Sequence, residues 1–231
     1  MNDFELIEEA RREATAGRLK RALDLLSKVI ARSPECAEAY FERGHTYYEL
    51  CDWKAAESDL GRAVSLDPND EYGLFLLAGA LGQLGQHNKQ IVVLTRTLEL
   101  LERARSEGDD VAARLVDSLS ARAYAFQRVE QSDRAIADCL RAAEIDGGNV
   151  SVHLQLGRLL SDDFRWLEAS DAFSRALKID PDNVEAIGLR ARCLGNSGGN
   201  GRAVEEYERA LALEPDAVWI CLLYTSPSPR D

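Results

Sequence analysis

The sequence predicts an all-α solenoid built from stacked helix-turn-helix hairpins. Three observations carry that prediction: a 34-residue period, columns of small residues in register with it, and apolar spacing of helical period. Pro34 and Pro68 stand 34 residues apart, and so do Pro181 and Pro215. Gly147 lies 34 residues before Pro181, in a turn, Asp146-Gly147-Gly148-Asn149, that matches Asp180-Pro181-Asp182-Asn183. Counting back from these turns sets six frames, beginning near Asp3, Ala37, Glu71, Val116, Val150 and Val184.

Each frame reads as two helices of about a dozen residues, from spacings such as Leu156, Leu159 and Leu160. The eighth column is small throughout: Ala10, Gly44, Ala78, Ala123, Gly157 and Ala191. The twentieth is Ala22, Ala56, Gln90, Ala135, Ala169 and Ala203, and the twenty-seventh is Val29, Ala63, Thr97, Ala142, Ala176 and Ala210. Larger residues fill the twenty-fourth: Leu26, Leu60, Leu94, Cys139, Phe173 and Tyr207. Small residues let two helices approach closely while the large ones fill the gaps between them. Gly17, Gly85 and Gly198 share the mid-frame column, where a helix C-terminus needs a positive φ. The prolines end each second helix. One hairpin cannot bury its own apolar face, so neighbours must stack.

These columns resemble the tetratricopeptide repeat (TPR), most closely in frames two, five and six, as in Tyr40…Gly44…Tyr47…Ala56…Leu60…Ala63…Pro68. Frame one has Glu13 where the repeat carries an aromatic residue. Frame three departs furthest, with Gln90 and Thr97 in place of alanines and no proline. The resemblance implies a right-handed α-solenoid with repeats 1–3 over residues 3–104 and repeats 4–6 over residues 116–217. The stretch 105–115 interrupts the period. It is expected to lengthen the two flanking helices, joined by a turn at Ser106–Asp110, with Asp109 or Asp110 capping the second. It reads either as a tolerated surface insertion or as a break in superhelical twist.

Residues 218–221 begin a seventh repeat, and residues 222–231 abandon the period. That ending, Leu222-Leu223-Tyr224-Thr225-Ser226-Pro227-Ser228-Pro229-Arg230-Asp231, resembles a translated sequencing adapter. It is set aside as a non-native tail. The expectation is a C-terminally truncated fragment of a longer protein whose last repeat lacks its capping helix. An uncapped end offers one route to oligomerisation.

Composition narrows the function. With 40 acidic against 28 basic residues the chain repels phosphate backbones, so no nucleic-acid partner is expected. No apolar run reaches membrane-spanning length, and the acidic N-terminus does not read as a secretory signal. A cytoplasmic location with reduced thiols follows as the expectation. Five cysteines and three histidines without CxxC spacing are poor material for a metal site. Phosphate-binding loops and nucleophile motifs are missing, so neither cofactor nor catalytic residue is expected and the chain reads as a non-enzyme.

What remains is a surface. The resemblance implies that the first helix of each repeat lines a concave groove through its second, fifth, ninth and twelfth positions. Its N-terminal zone would be aromatic, with Phe4, Phe41, Tyr48, Tyr72 and Phe75 as anchors for a partner's apolar side chains. Its polar and basic positions would be Arg11, His45, Tyr124, Arg128, Arg158 and Arg192. Arg158 and Arg192, one repeat apart, either bind a carboxylate or acidic peptide or pair internally with Asp162, Asp163, Glu185 or Glu168. The carboxylate clamp by which some members of the family hold the tails of Hsp70 or Hsp90 needs Lys and Asn across three consecutive repeats, and is not matched here. The reading is a non-catalytic interaction scaffold or adaptor that holds a protein or peptide ligand in the groove. The alternative is a regulatory or substrate-recruiting arm of a longer enzyme or co-chaperone.

Overall fold

Helix ends in this chain are set by a few side chains that recur every 34 residues. The computed structural model describes residues 2–216, which hold twelve helices and no strand. They are α1 (Asp3–Thr15), α2 (Leu19–Arg32), α3 (Ala37–Glu49), α4 (Trp53–Leu66), α5 (Glu71–Gln83), α6 (His87–Glu107), α7 (Ala112–Arg128), α8 (Ser132–Ile145), α9 (Val150–Asp162), α10 (Trp166–Ile179), α11 (Val184–Asn196) and α12 (Asn200–Leu213). The expectations for residues 217–231 lie outside the described residues.

Four of the odd-numbered helices open on an Asn or Asp whose side chain accepts a hydrogen bond from the first turn: Asn2, Asp70, Asn149 and Asn183. Such caps satisfy amides that have no partner inside the helix. All six hairpin turns use one device. The fifteenth residue of each frame adopts a left-handed backbone, and the amide after it donates to a carbonyl five residues back, as Arg18 does to Glu13 and Gln131 to Phe126. Glycine holds this place at Gly17, Gly85 and Gly198. Cys51, Glu130 and Phe164 hold it at φ of 57°, 59° and 58°, where a Cβ is unfavourable. Exposed Glu130 should therefore be improvable. Glu130→Gly is expected to stabilise the chain by about 1 kcal/mol, read as a higher urea midpoint with an unchanged slope.

The extra residues between the third and fourth hairpins add length to helices. α6 has 21 residues and α7 has 17, against 13 or 14 elsewhere. α6 runs through Ser106 and Glu107 before Gly108 stops it at φ 102°, so the turn begins two residues later than expected. At the start of α7 the Ala112 amide donates to the Asp110 side chain at 3.5 Å.

The described residues divide into two compact units, with the division between Arg114 and Leu115. In the first unit α1 packs on α2, α3 on α4 and α5 on α6, and each pair stacks on the next through α2–α3 and α4–α5. In the second unit α8–α9 and α10–α11 join the hairpins in the same way. Hairpins stacked in sequence order are the arrangement of an α-solenoid. The columns form the interior: Ala10, Ala22, Leu26 and Val29 are buried in the first hairpin, and Gly157, Ala169, Phe173 and Ala176 in the fifth. Hairpin three, the least regular, compensates locally. A Cβ on Gly82 would lie 2.7 Å from the Gln90 amide nitrogen, so the missing side chain of one makes room for the larger side chain of the other.

A polar device crosses this interior. The guanidinium of Arg43 in α3 grips Asp59 in α4 with both carboxylate oxygens, at 2.6 and 2.9 Å, and also donates to Ser27 of the preceding hairpin at 3.1 Å. Arg122 grips Asp138 in the same way at 2.8 Å twice. Arg190 bonds Glu206 and reaches back to Ser174. These pairs occupy the same register of hairpins two, four and six. In hairpins three and five that register carries Leu77 with Val93 and Leu156 with Ala172.

Candidate functional site

The odd-numbered helices of the first unit touch one another, α1 on α3 and α3 on α5, so their outer side chains share one face. Helical spacing brings Glu38, Phe41, Glu42 and His45 of α3 onto successive turns of that face. The Phe41 and His45 rings stack with centroids 6.1 Å apart. Tyr72, from α5, closes against both, at 6.0 Å to Phe41 and 6.3 Å edge-on to His45. Tyr72 remains 52% exposed, and Phe4 on α1 is 66% exposed. Phe41 and Phe75 are half-buried. Tyr48 also turns partly inward: its ring meets Trp53 edge-on at 5.1 Å, and a Cβ on Gly79 would lie 2.5 Å from its hydroxyl. Burial accordingly pushes the Tyr48 phenol above its usual range.

Arg11, read from sequence as a basic groove residue, is already engaged. Its Nε donates to Glu42 at 2.6 Å, Nη1 to Glu8 at 2.5 Å and Nη2 to Glu38 at 2.8 Å. Partial burial alone would lower its pKa, but the hydrogen bonds from Glu42 and Glu8 and the charges of Glu42 and Glu38 outweigh that and raise it. Three carboxylates surround one guanidinium, so the patch stays negative.

In the second unit the corresponding face is formed by α7, α9 and α11. Gln155 of α9 donates to the Ser120 carbonyl of α7 at 2.9 Å, and Gln127 of α7 donates to Asp162 of α9 at 2.8 Å. Arg158 bonds Glu185 of the next hairpin, the internal partner that the sequence offered as an alternative to ligand. Tyr124 and Arg128 are exposed, and Arg192 is half-buried. The structure thus brings together Phe41, His45 and Tyr72, and places Arg11 beside them through Glu42. Glu38 stands at a stripe position in the sequence, but the grouping of Glu8, Glu38 and Glu42 around Arg11 was not read from it. Their partner lies 27 and 31 residues away for Glu38 and Glu42, a spacing that becomes meaningful only once hairpins stack.

Among the described residues no three His, Cys, Asp or Glu side chains are grouped as a metal set, and no helix is long and apolar enough to cross a membrane. Burial pushes the Cys139 thiol up to about 12 and also raises that of Cys193. Cys51 lies exposed in its turn. A thiol-reactive reagent at neutral pH should modify Cys51 in the folded chain and reach Cys139 and Cys193 only after unfolding, as peptide mass mapping would show.

Twelve helices stacked as hairpins define a helical repeat protein. Residues 37–70, the second hairpin from the first residue of α3 to the cap of α5, match the family model of the tetratricopeptide repeat. The stacked hairpins have the fold of tetratricopeptide-repeat proteins. It is 27% identical over 150 residues to Ethylene-overproduction protein 1 of Arabidopsis thaliana, a match covering 63% of this chain and 16% of that protein. It is 36% identical over 64 residues to Small glutamine-rich tetratricopeptide repeat-containing protein 2 of Mycosarcoma maydis, covering 28% of this chain and 18% of that one. The chain therefore spans less than a fifth of the curated relatives it matches. Among solved structures, YrrB, described as a TPR protein with an unusual peptide-binding site, superposes with a TM-score of 0.68 at 16% identity, over 85% of this chain and 96% of that one. Pseudomonas aeruginosa pilF gives 0.67 at 14% identity, over 96% and 94%. MamA of Desulfovibrio magneticus RS-1 gives 0.67 at 16%, over 78% and 96%. At these identities the likeness is one of fold.

Proposed function

We propose that this protein is a non-catalytic interaction scaffold acting in the cytoplasm, and that the face of α1, α3 and α5 holds an extended or helical segment of another protein. The carrying observation is the aromatic set Phe41, His45 and Tyr72 spanning two hairpins, with Tyr72 half-exposed beside it. Rigid aromatic side chains on a stacked scaffold anchor a partner at low entropic cost. YrrB, which shares the fold, is described as having a peptide-binding site, and that description supports the same use here.

Panning random twelve-residue displayed peptides against the full chain tests the reading. Enriched peptides should bind the parent and lose at least tenfold in affinity on the Phe41→Ala/Tyr72→Ala chain, which should melt as a folded protein. Equal binding to both chains would place the contact elsewhere and overturn this assignment. A second reading is supported by the much greater length of the curated relatives: the repeats would serve as a recruiting or regulatory arm within a longer polypeptide.

A further inference from the structure

The charges of the first unit are sorted by helix. The face-forming helices α1, α3 and α5 carry nine acidic and three basic side chains, whereas their partners α2, α4 and α6 carry six acidic and ten basic. In the second unit the sign reverses, with three acidic against five basic side chains on α7 from Leu115 onward, α9 and α11. Much of the negative charge of α1 is bound locally, Glu13 by Arg18, Glu9 by Arg21 and Asp3 by Arg32. The Glu8, Glu38 and Glu42 group is different, because three carboxylates share the single guanidinium of Arg11, itself 39% exposed. It adjoins the aromatic set on α3: Glu38 and Glu42 flank Phe41 in sequence on one helix face, and Tyr72 stands against Phe41 from the next hairpin. Arg11 shows that these carboxylates have the spacing to receive a guanidinium from three sides.

We infer that the occupant of this face is a basic segment of a partner protein, setting an Arg or Lys against Glu38, Glu42 and the Tyr72 ring and an apolar side chain against Phe41. Charge complementarity argues for that partner over an acidic tail, and the exposed Tyr72 ring against Phe41 adds an aromatic face on which a cation can stack. The inference rests on the interaction reading above and adds the chemistry of the ligand.

The probe is a synthetic peptide of the sequence enriched by panning, together with a version in which every Arg and Lys is Gln. The basic peptide should bind at least tenfold more tightly than its Gln version, with affinity falling as salt rises. Glu38→Gln with Glu42→Gln should weaken it about tenfold, the scale of charge-assisted bonds. Arg11→Gln, which vacates the carboxylates, should tighten it, an outcome that a merely structural role for Arg11 would not produce. Glu38→Gln alone, at an exposed position, serves if the double substitution unfolds. Enrichment of acidic or uncharged peptides that still depend on Phe41 and Tyr72 would overturn the basic partner while leaving the scaffold reading intact. Peptides indifferent to Phe41 and Tyr72 would overturn both.

Discussion

Replacing Gly157 with alanine should destabilise the protein by about 3 kcal/mol, the upper range for overpacking a closed core. The added Cβ would lie 2.5, 2.6 and 2.8 Å from three carbons of the Phe173 ring. Phe173 is fully buried, so its ring has no free volume to swing into, and the two helices of the hairpin must separate instead. Two comparisons make the result specific. Gly61→Ala, in the middle of α4 with nothing within 4 Å of the new Cβ, should stabilise by about 1 kcal/mol, because alanine is the better helix former. Gly157→Ala combined with Phe173→Leu should regain much of the loss, since Ala10 with Leu26 and Ala78 with Leu94 already form that pair in other hairpins. Urea titration of the four chains checks this. A Gly157→Ala loss below that of an ordinary surface substitution would mean that the helices are not in close contact there.

Removing one partner of the Arg43–Asp59 pair is the second large effect. Arg43→Leu should cost about 3 kcal/mol, because Asp59 is only 8% exposed and would keep its charge without a donor. The hydrogen bond to Asp59 also outweighs the effect of burial and keeps the Arg43 pKa above its ordinary value, so the guanidinium stays charged at any working pH. Replacing both partners, Arg43→Leu with Asp59→Val, should come within about 1 kcal/mol of the parent, since a well-packed apolar pair substitutes for a buried ion pair. The protein uses that solution itself at Leu77 and Val93. A double variant as unstable as the single one would show that Ser27 and the bidentate geometry supply more than charge neutralisation.

The period, the small columns and their large partners were legible in the sequence because each reflects one local demand, close helix approach or a turn, repeated in register. Less was legible where the demand can be met in several ways. The left-handed turn column showed only at its three glycines, since Cys51, Glu130 and Phe164 give no local sign of their backbone. The Arg–Asp pairs join residues 16 apart, a spacing that fits neither helix period nor turn and acquires meaning only across a packed hairpin. The candidate face was half legible. Phe41 and Tyr72 followed from the helix stripe, but Arg11 was read as a basic groove position, because two of its three acids, Glu38 and Glu42, sit on the neighbouring hairpin. Tyr48 shows the reverse: it lies on the outward stripe, yet the bare backbone of Gly79 draws its ring inward.

The alternation of ionic and apolar hairpins bears on how such an array can grow. Arg43 and Arg190 each reach a serine of the hairpin before them, whereas Gly61 and Leu140 stand at that place ahead of the apolar hairpins. Loss of hairpin three or five alone, or duplication of hairpin two or four alone, would set an arginine beside Gly61 or Leu140, which offer no acceptor. Loss or duplication of two adjacent hairpins would keep every arginine beside its kind of neighbour, so the couple is the smallest unit that can be repeated without orphaning a guanidinium.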